Sequence, residues 1–481
     1  MTLLSLEFFL FLSVGAAVYY LSPMRMRVYV LAVLSALFYL VLGWSSFLCV
    51  IAVSCLSFLA AFMTEGRGRG RTCGFASVTA LILVLLWLGL RGVSGFFGLA
   101  APVGISFCTL RVISYLLDVR RGAVSAERNF LKYLLFISFF PIAFLGPVVG
   151  YEDCRKTLFS PQAPCWEKIT GGILRMLVGV FKKLVVADAL IEPVRRISSE
   201  PERYFGVYVV ILIILYSVEV YFDFSGGIDI VLGAAGLFGV KLPENFDKPF
   251  SSKTTVEFWN RWHITLGEWF ERYVFYPISL TRAMQRLSRI LRRRLGESVG
   301  KRIPLYVATL VTWALTGLWH GGALHFLAWG LTNGALVLIS SESSRLLKAV
   351  CERNPRLSLV REGLSVFAPV RVFFLIGAVR LLDVYKSVKL TFRMLASAVV
   401  RWDSYTGFAG EIFDIMSPKM VPVFWGALAV FAASKFGIRA ERICRKPYAF
   451  AFCAVGLLVS ALLFGSYGFG FDAADFIYSK F

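Results

Sequence analysis

Histidine is scarce in this chain: 481 residues contain three, His263, His320 and His325. Charge is thin too, with Asp, Glu, Lys and Arg making 17% of the residues against roughly 25% in ordinary soluble domains. The nine cysteines are odd in number and form no Cys-x-x-Cys pair, so neither a disulfide framework nor a thiolate zinc site is indicated. Two histidines without further ligands cannot close a zinc site, and no His-Glu-x-x-His spacing exists, which argues against a bound metal. Walker, nucleophile-elbow and deaminase signatures are missing. The first residues lack the basic region of a secretory signal, and 3–22 reads as a retained first span. No repeat and no soluble domain is visible, so residues 1–481 read as a single membrane-embedded domain.

What is plentiful is apolar. The hydrophobic fraction is 58%, with 44 phenylalanines, above the 45–50% or so of soluble chains. Disorder and collagen are excluded, and a polytopic membrane protein remains. The net charge of +21 fits Lys and Arg gathered in cytoplasmic loops. Without a binding module beside the charge, nucleic acid is not an expected partner; the lipid bilayer is.

Apolar runs fall at 3–22, 28–42, 47–63, 74–90, 129–150, 170–191, 205–220, 304–319, 324–340, 365–382, 421–435 and 448–466. Several are shorter than the roughly 20 residues a straight span needs and must tilt or be shielded. Helices mixing aromatics with charge are expected at 104–121, 223–239 and 255–280, suited to a protein-lined interior or re-entrant segments. The expectation is an all-α polytopic membrane protein of about 11–13 membrane helices plus re-entrant or interfacial helices. Arg25 and Arg27, the Arg67–Arg71 loop, and Arg120, Arg121 and Arg128 share one side if the N-terminus is extracytoplasmic. The stretch 282–302 carries +7 of the net charge, with Met284, Leu287, Leu291 and Leu295 at helical spacing. Within a basic cytoplasmic segment, 279–303, this is either an amphipathic helix on the headgroups or a solvated loop that sets topology.

His320 ends an apolar run in Thr316-Gly-Leu-Trp-His-Gly-Gly-Ala323. An imidazole at membrane depth is costly and is a functional candidate by default; the plain alternative is a packed ring on a carbonyl. Flanking glycines permit close backbone approach. In Phe258-Trp-Asn-Arg-Trp-His-Ile-Thr265, helical spacing puts Trp259, Trp262, His263 and Trp269 on overlapping faces with Arg261 turned away. They line a polar pocket or, as composition alone favours, form an interfacial aromatic belt. His325 reads as structural or accessory. Glu219, Asp223 and Asp229 are carboxylates in an apolar context and need partners, with Arg111 and Arg261 as candidates. A structural network is favoured over a proton relay. The polar loop Pro243–Phe250, bounded by prolines, walls a site entrance with Asn245 as a substrate contact, or simply turns the chain.

These strings, taken in order, resemble the membrane-bound O-acyltransferase (MBOAT) family, and within it the branch of the bacterial alginate O-acetylase membrane subunit. They are Pro102-Val-Gly-Ile-Ser-Phe107, Tyr115-Leu-Leu-Asp-Val-Arg-Arg-Gly122, Phe140-Pro141 with Leu145-Gly-Pro147, Tyr221-Phe-Asp-Phe-Ser-Gly226, Pro243-Glu-Asn-Phe246, Phe258–His263, Gly317-Leu-Trp-His-Gly321 and the aromatic end Asp475–Phe481. The resemblance implies a multi-helix enzyme around a central tunnel in the bacterial cytoplasmic (inner) membrane. An acyl thioester, acetyl-CoA or another, would enter from the cytoplasm, and no cofactor would be tightly bound. A hydroxyl of an envelope polysaccharide, or of an extracytoplasmic acyltransferase- or hydrolase-like partner protein, would take the acyl group. The family's invariant histidine maps onto His320 and its second motif histidine onto His263, with Asn245, Trp259, Arg261, Trp262, Trp319 and Asp223 lining or supporting the site. The chain departs from the family where Gly150 replaces an Arg, Ala323 an Asn and Asn333 a His, and where the Arg-rich 279–302 stretch replaces a short turn. Rival readings are a transporter or flippase and a non-catalytic scaffold of a polysaccharide export complex.

Overall fold

The computed structural model describes residues 2–65, 104–354, 362–363, 365–401, 408–415, 420–435 and 443–467. The expected span at 74–90, the Arg67–Arg71 loop, Pro102, Val103 and Asp475–Phe481 lie outside the described residues. Every regular element among the described residues is helical, with one isolated antiparallel bridge, Phe246 to Trp262. The chain is an all-α multi-pass membrane protein. Among the described residues, five helices are long and apolar enough to cross a bilayer: Met24–Leu42, Trp44–Glu65, Val207–Leu237, Leu324–Arg353 and Pro447–Phe464. Their outward residues are large and apolar, as at Leu56, Leu331 and Phe452, a surface that lipid covers without cost and water would not.

The chain divides into two compact units: Met1–Val185 with Asp223–Pro243 and Gly437–Lys480, and Val186–Phe222 with Glu244–Phe436. In the first unit, helix Leu6–Leu21 starts at Ser5, whose side chain accepts the Phe8 amide. The apolar run 129–150 does not make one helix. Pro141 has no N–H, and its ring would collide with the Ile137 carbonyl, so helix Phe130–Ser138 stops short of it. The carbonyls this break exposes would be costly if left dry. Arg111, 1% exposed, donates to those of Phe136 (3.2 Å), Ile137 (2.7 Å) and Ile142 (3.2 Å).

The sequence divides 205–220 from 223–239, but the structure joins them as a single helix, Val207–Leu237. No proline interrupts it, and its later carboxylates are compensated. Helix Trp166–Phe181 crosses its second half at backbone contact: a Cβ on Gly179 would lie 2.5 Å from the Gly226 oxygen, and one on Gly233 2.5 Å from the Gly172 oxygen. That approach, followed by a π-helical turn at Lys182–Ala187, brings Lys183 to Asp223 (2.7 Å), and Lys182 (2.6 Å) and Arg175 (3.1 Å) to Asp229. Arg111 and Arg261, the partners expected for these acids, are engaged elsewhere: Arg111 on the carbonyls above, Arg261 on Glu257 (2.8 Å) and Ser251 Oγ (2.7 Å). The lysines stand inside the run 170–191, so their signal was visible as charge in an apolar stretch.

In the second unit the basic stretch is helical over Arg282–Leu295. It ends at Gly296 (φ 86°), where helix Glu297–His320 begins. Gly300 lets the two helices touch, since a Cβ there would meet the Arg292 amide at 2.3 Å. Helix Glu297–His320 packs in turn on Leu324–Arg353, again through glycine. A Cβ on Gly317 would lie 2.4 Å from the Phe326 oxygen, and one on Gly330 2.3 Å from the Trp313 oxygen. This hairpin sets where His320 ends up.

Candidate active site

The helix expected over 255–280 is broken. Thr255–Trp259 is capped by the Thr254 side chain, the chain turns through Asn260–His263, and a new helix runs Ile264–Phe270. His263 sits at the break with φ 48° and ψ 50°. Left-handed backbone costs a non-glycine residue about 1–3 kcal/mol and persists only where its surroundings hold it. The loop at 243–247 does the holding. Phe246 pairs with Trp262, Asp247 N donates to Arg261 O (3.0 Å), and Ile264 N donates to Asn245 O (3.1 Å). The Asn245 side chain, fully buried, adds three contacts at its Oδ1: Thr265 N (3.2 Å), Thr265 Oγ1 (2.9 Å) and His263 Nδ1 (3.3 Å). Helical periodicity carries no trace of these long-range bonds, which is why it runs a helix through them.

Around this hub the second unit gathers most of the expected residues. His263 and His320 are both buried. The His263 ring lies 6.4 Å from Trp319, Trp319 lies 5.0 Å from His320, and His320 and Trp329 form a T-shaped pair at 4.9 Å. Trp259 extends the cage to Trp313 (4.8 Å) and Trp329 (5.7 Å). Trp262 is stacked with Phe258 and carries Arg380 over its ring at 4.0 Å. Arg261 is held by Glu257 and Ser251 Oγ. Asp223 belongs to the other unit, ion-paired to Lys183. His325 packs on Phe326 at 4.2 Å.

Reading the sequence missed Trp313, Trp329 and Arg380. The tryptophans lie in runs taken as plain spans. The signal for Arg380 was a cation inside the run 365–382; it is 6% exposed and tolerated there because an aromatic face attracts a guanidinium.

Burial holds the His263 imidazole well below its ordinary value, with nearby His320 pushing the same way. The ring is therefore held neutral at pH 7. Trp259 Nε1 and Asn245 Nδ2 are buried donors with no hydrogen-bond partner among the described residues, and such donors suit oxygens of a bound substrate. No cluster of three or more metal-ligating side chains occurs among the described residues.

Residues 31–292 match the profile of the membrane-bound O-acyltransferase family; His263 lies within that stretch and His320 beyond it. The chain is 29% identical over 360 residues to "Probable alginate O-acetylase AlgI" of Azotobacter vinelandii, covering 69% of this chain and 66% of the relative. It is also 29% identical to the "Peptidoglycan O-acetyltransferase" of Helicobacter pylori, covering 49% of this chain and 46% of the relative. With the "Teichoic acid D-alanyltransferase" of Streptococcus thermophilus the identity is 26%, covering 59% and 67% respectively. Across the alginate O-acetylases the match spans between 42% and 68% of their length. The profile match takes in more than half of the chain, and the protein belongs to the membrane-bound O-acyltransferase family.

Proposed function

We propose that the protein transfers an acyl group, acetyl in the first instance, from a cytoplasmic thioester such as acetyl-CoA to a hydroxyl outside the cytoplasmic membrane. The acceptor is an envelope polysaccharide or a partner protein that passes the group on. The observation that carries this reading is the pair of buried histidines, His263 and His320, joined through Trp319 in one aromatic cage. The names of the relatives, O-acetylases and D-alanyltransferases, point to the same bond chemistry.

In the reaction the acceptor oxygen attacks the thioester carbonyl while His320 takes its proton. The tetrahedral adduct then expels the thiolate, which recovers a proton, and the C–S bond is replaced by C–O. Positioned proton transfer of this kind contributes about 10²–10⁴-fold. An indole-lined interior also keeps water from the thioester. Trp259 Nε1 and Asn245 Nδ2 supply donors for the substrate's oxygens. The acids of helix Val207–Leu237 that have assigned partners are paired at 2.6–3.1 Å, which serves a fixed scaffold better than a transporter's moving charge.

Membranes containing wild type or His320→Ala, given radiolabelled acetyl-CoA and the cell's own envelope polymers, test the proposal. Label should enter an envelope fraction with wild type and fall by about 10²–10⁴-fold in the variant. Equal label above an empty-vector control would remove His320 from the mechanism.

A further inference from the structure

The bonds at Asn245 determine more than a loop conformation. Thr265 presents two hydrogens to one atom of the Asn245 carboxamide, its amide N–H at 3.2 Å and its hydroxyl at 2.9 Å. A backbone amide can only donate, so that carboxamide atom is the oxygen; the flipped side chain would set N–H against N–H. The same oxygen lies 3.3 Å from His263 Nδ1. An oxygen acceptor in contact with a ring nitrogen requires a hydrogen on that nitrogen. A neutral imidazole has one N–H, so placing it at Nδ1 leaves Nε2 with a lone pair.

We propose that Asn245 is a positioning residue that holds His263 as the Nδ1–H tautomer, so that Nε2 accepts a proton or hydrogen bond in the reaction and does not donate one. Imidazole in water prefers the other tautomer, so the protein reverses an intrinsic preference. One consequence is that His263 cannot serve as an oxyanion donor through Nε2 while neutral. It holds the acceptor hydroxyl, or relays a proton with His320, and oxyanion stabilisation falls to other donors. The part of this that concerns transfer rests on the acyltransferase reading; the tautomer itself does not.

The deciding measurement is the solid-state ¹⁵N spectrum of histidine-labelled full-length protein in lipid at neutral pH. With three histidines in the chain, the His263 signals are those lost in His263→Asn. Wild type should show a protonated Nδ1 and an unprotonated Nε2. Finding the proton on Nε2, or on both nitrogens, would overturn the proposal without any activity assay. Two variants separate positioning from substrate contact. Asn245→Asp keeps the acceptor oxygen and loses the NH₂; Asn245→Leu loses both. The Asp variant should keep a proton on Nδ1 and, having lost one substrate donor, transfer more slowly than wild type but faster than the Leu variant. The Leu variant should shift His263 toward Nε2–H and lose at least tenfold in kcat, with the KM for the thioester little changed. If the Asp variant keeps the tautomer but loses transfer as fully as Leu, the lost NH₂ donor alone accounts for the effect and the tautomer role is refuted. If wild type shows the expected tautomer but no transfer from any thioester, the acyltransferase reading fails and the assignment at His263 survives.

Discussion

Lys183 and Asp223 offer the sharpest test of how this protein holds charge inside its membrane-embedded core. Their atoms are 2.7 Å apart and their side chains 2% and 3% exposed. Lys183 sits on the π-helical turn and Asp223 on the long helix, so the pair ties together elements that glycine contacts bring to backbone distance. Removing one member of such a pair takes the counter-charge from a buried ion and costs about 3–5 kcal/mol, whereas replacing both by apolar side chains of similar volume is near neutral. Lys183→Met and Asp223→Leu should therefore each be strongly destabilising, and the double variant less so than either. The coupling from the four-protein cycle, the two single losses less the double's, should therefore exceed about 3 kcal/mol. Thermal unfolding of the full-length protein in detergent, followed by size exclusion, gives the ranking, and titration into a denaturing detergent gives the energies. Added salt should change little, because screening reaches buried pairs weakly. Additive losses, or a double variant worse than both singles, would refute the reasoning.

Two further outcomes follow from the second unit. Gly330→Ala puts a Cβ 2.3 Å from the Trp313 oxygen; it should cost about 1–3 kcal/mol and, by spreading the hairpin that places His320, reduce transfer more than Gly322→Ala, where no atom lies within 4 Å. Equal effects of the two would detach the hairpin spacing from the site. The second concerns pH. His263 is held below its ordinary 6.5, so below that pH the unfolded chain binds a proton that the folded chain refuses. Its contribution to stability is complete above 6.5 and falls as pH drops below it, until the buried ring itself protonates. Melting temperature should decline below pH 6.5 in wild type and decline less in His263→Asn; identical pH curves would count against a neutral buried ring.

Much of this was legible from residues alone. Long apolar runs require satisfied backbone bonds in lipid, and only helices provide these within a single segment, so class and approximate spans follow from hydropathy. Rare residues in a distinctive order, above all Gly317-Leu-Trp-His-Gly321 and Phe258–His263, announce the family. Pro141 ends helix Phe130–Ser138 through a missing N–H, a local fact, although hydropathy alone reads 129–150 as one run.

Tertiary structure decided whatever depends on partners far along the chain. Asn245 meets His263 and Thr265 across 18 and 20 residues, and those bonds break a helix that local periodicity favours. Asp223 finds Lys183 across 40 residues, because glycines at 172, 179, 226 and 233 bring two backbones together. Arg380 reaches Trp262 from another helix altogether. Hydropathy and motif order are properties of neighbours in sequence; hydrogen-bond acceptors, counter-charges and a histidine's tautomer are properties of neighbours in space.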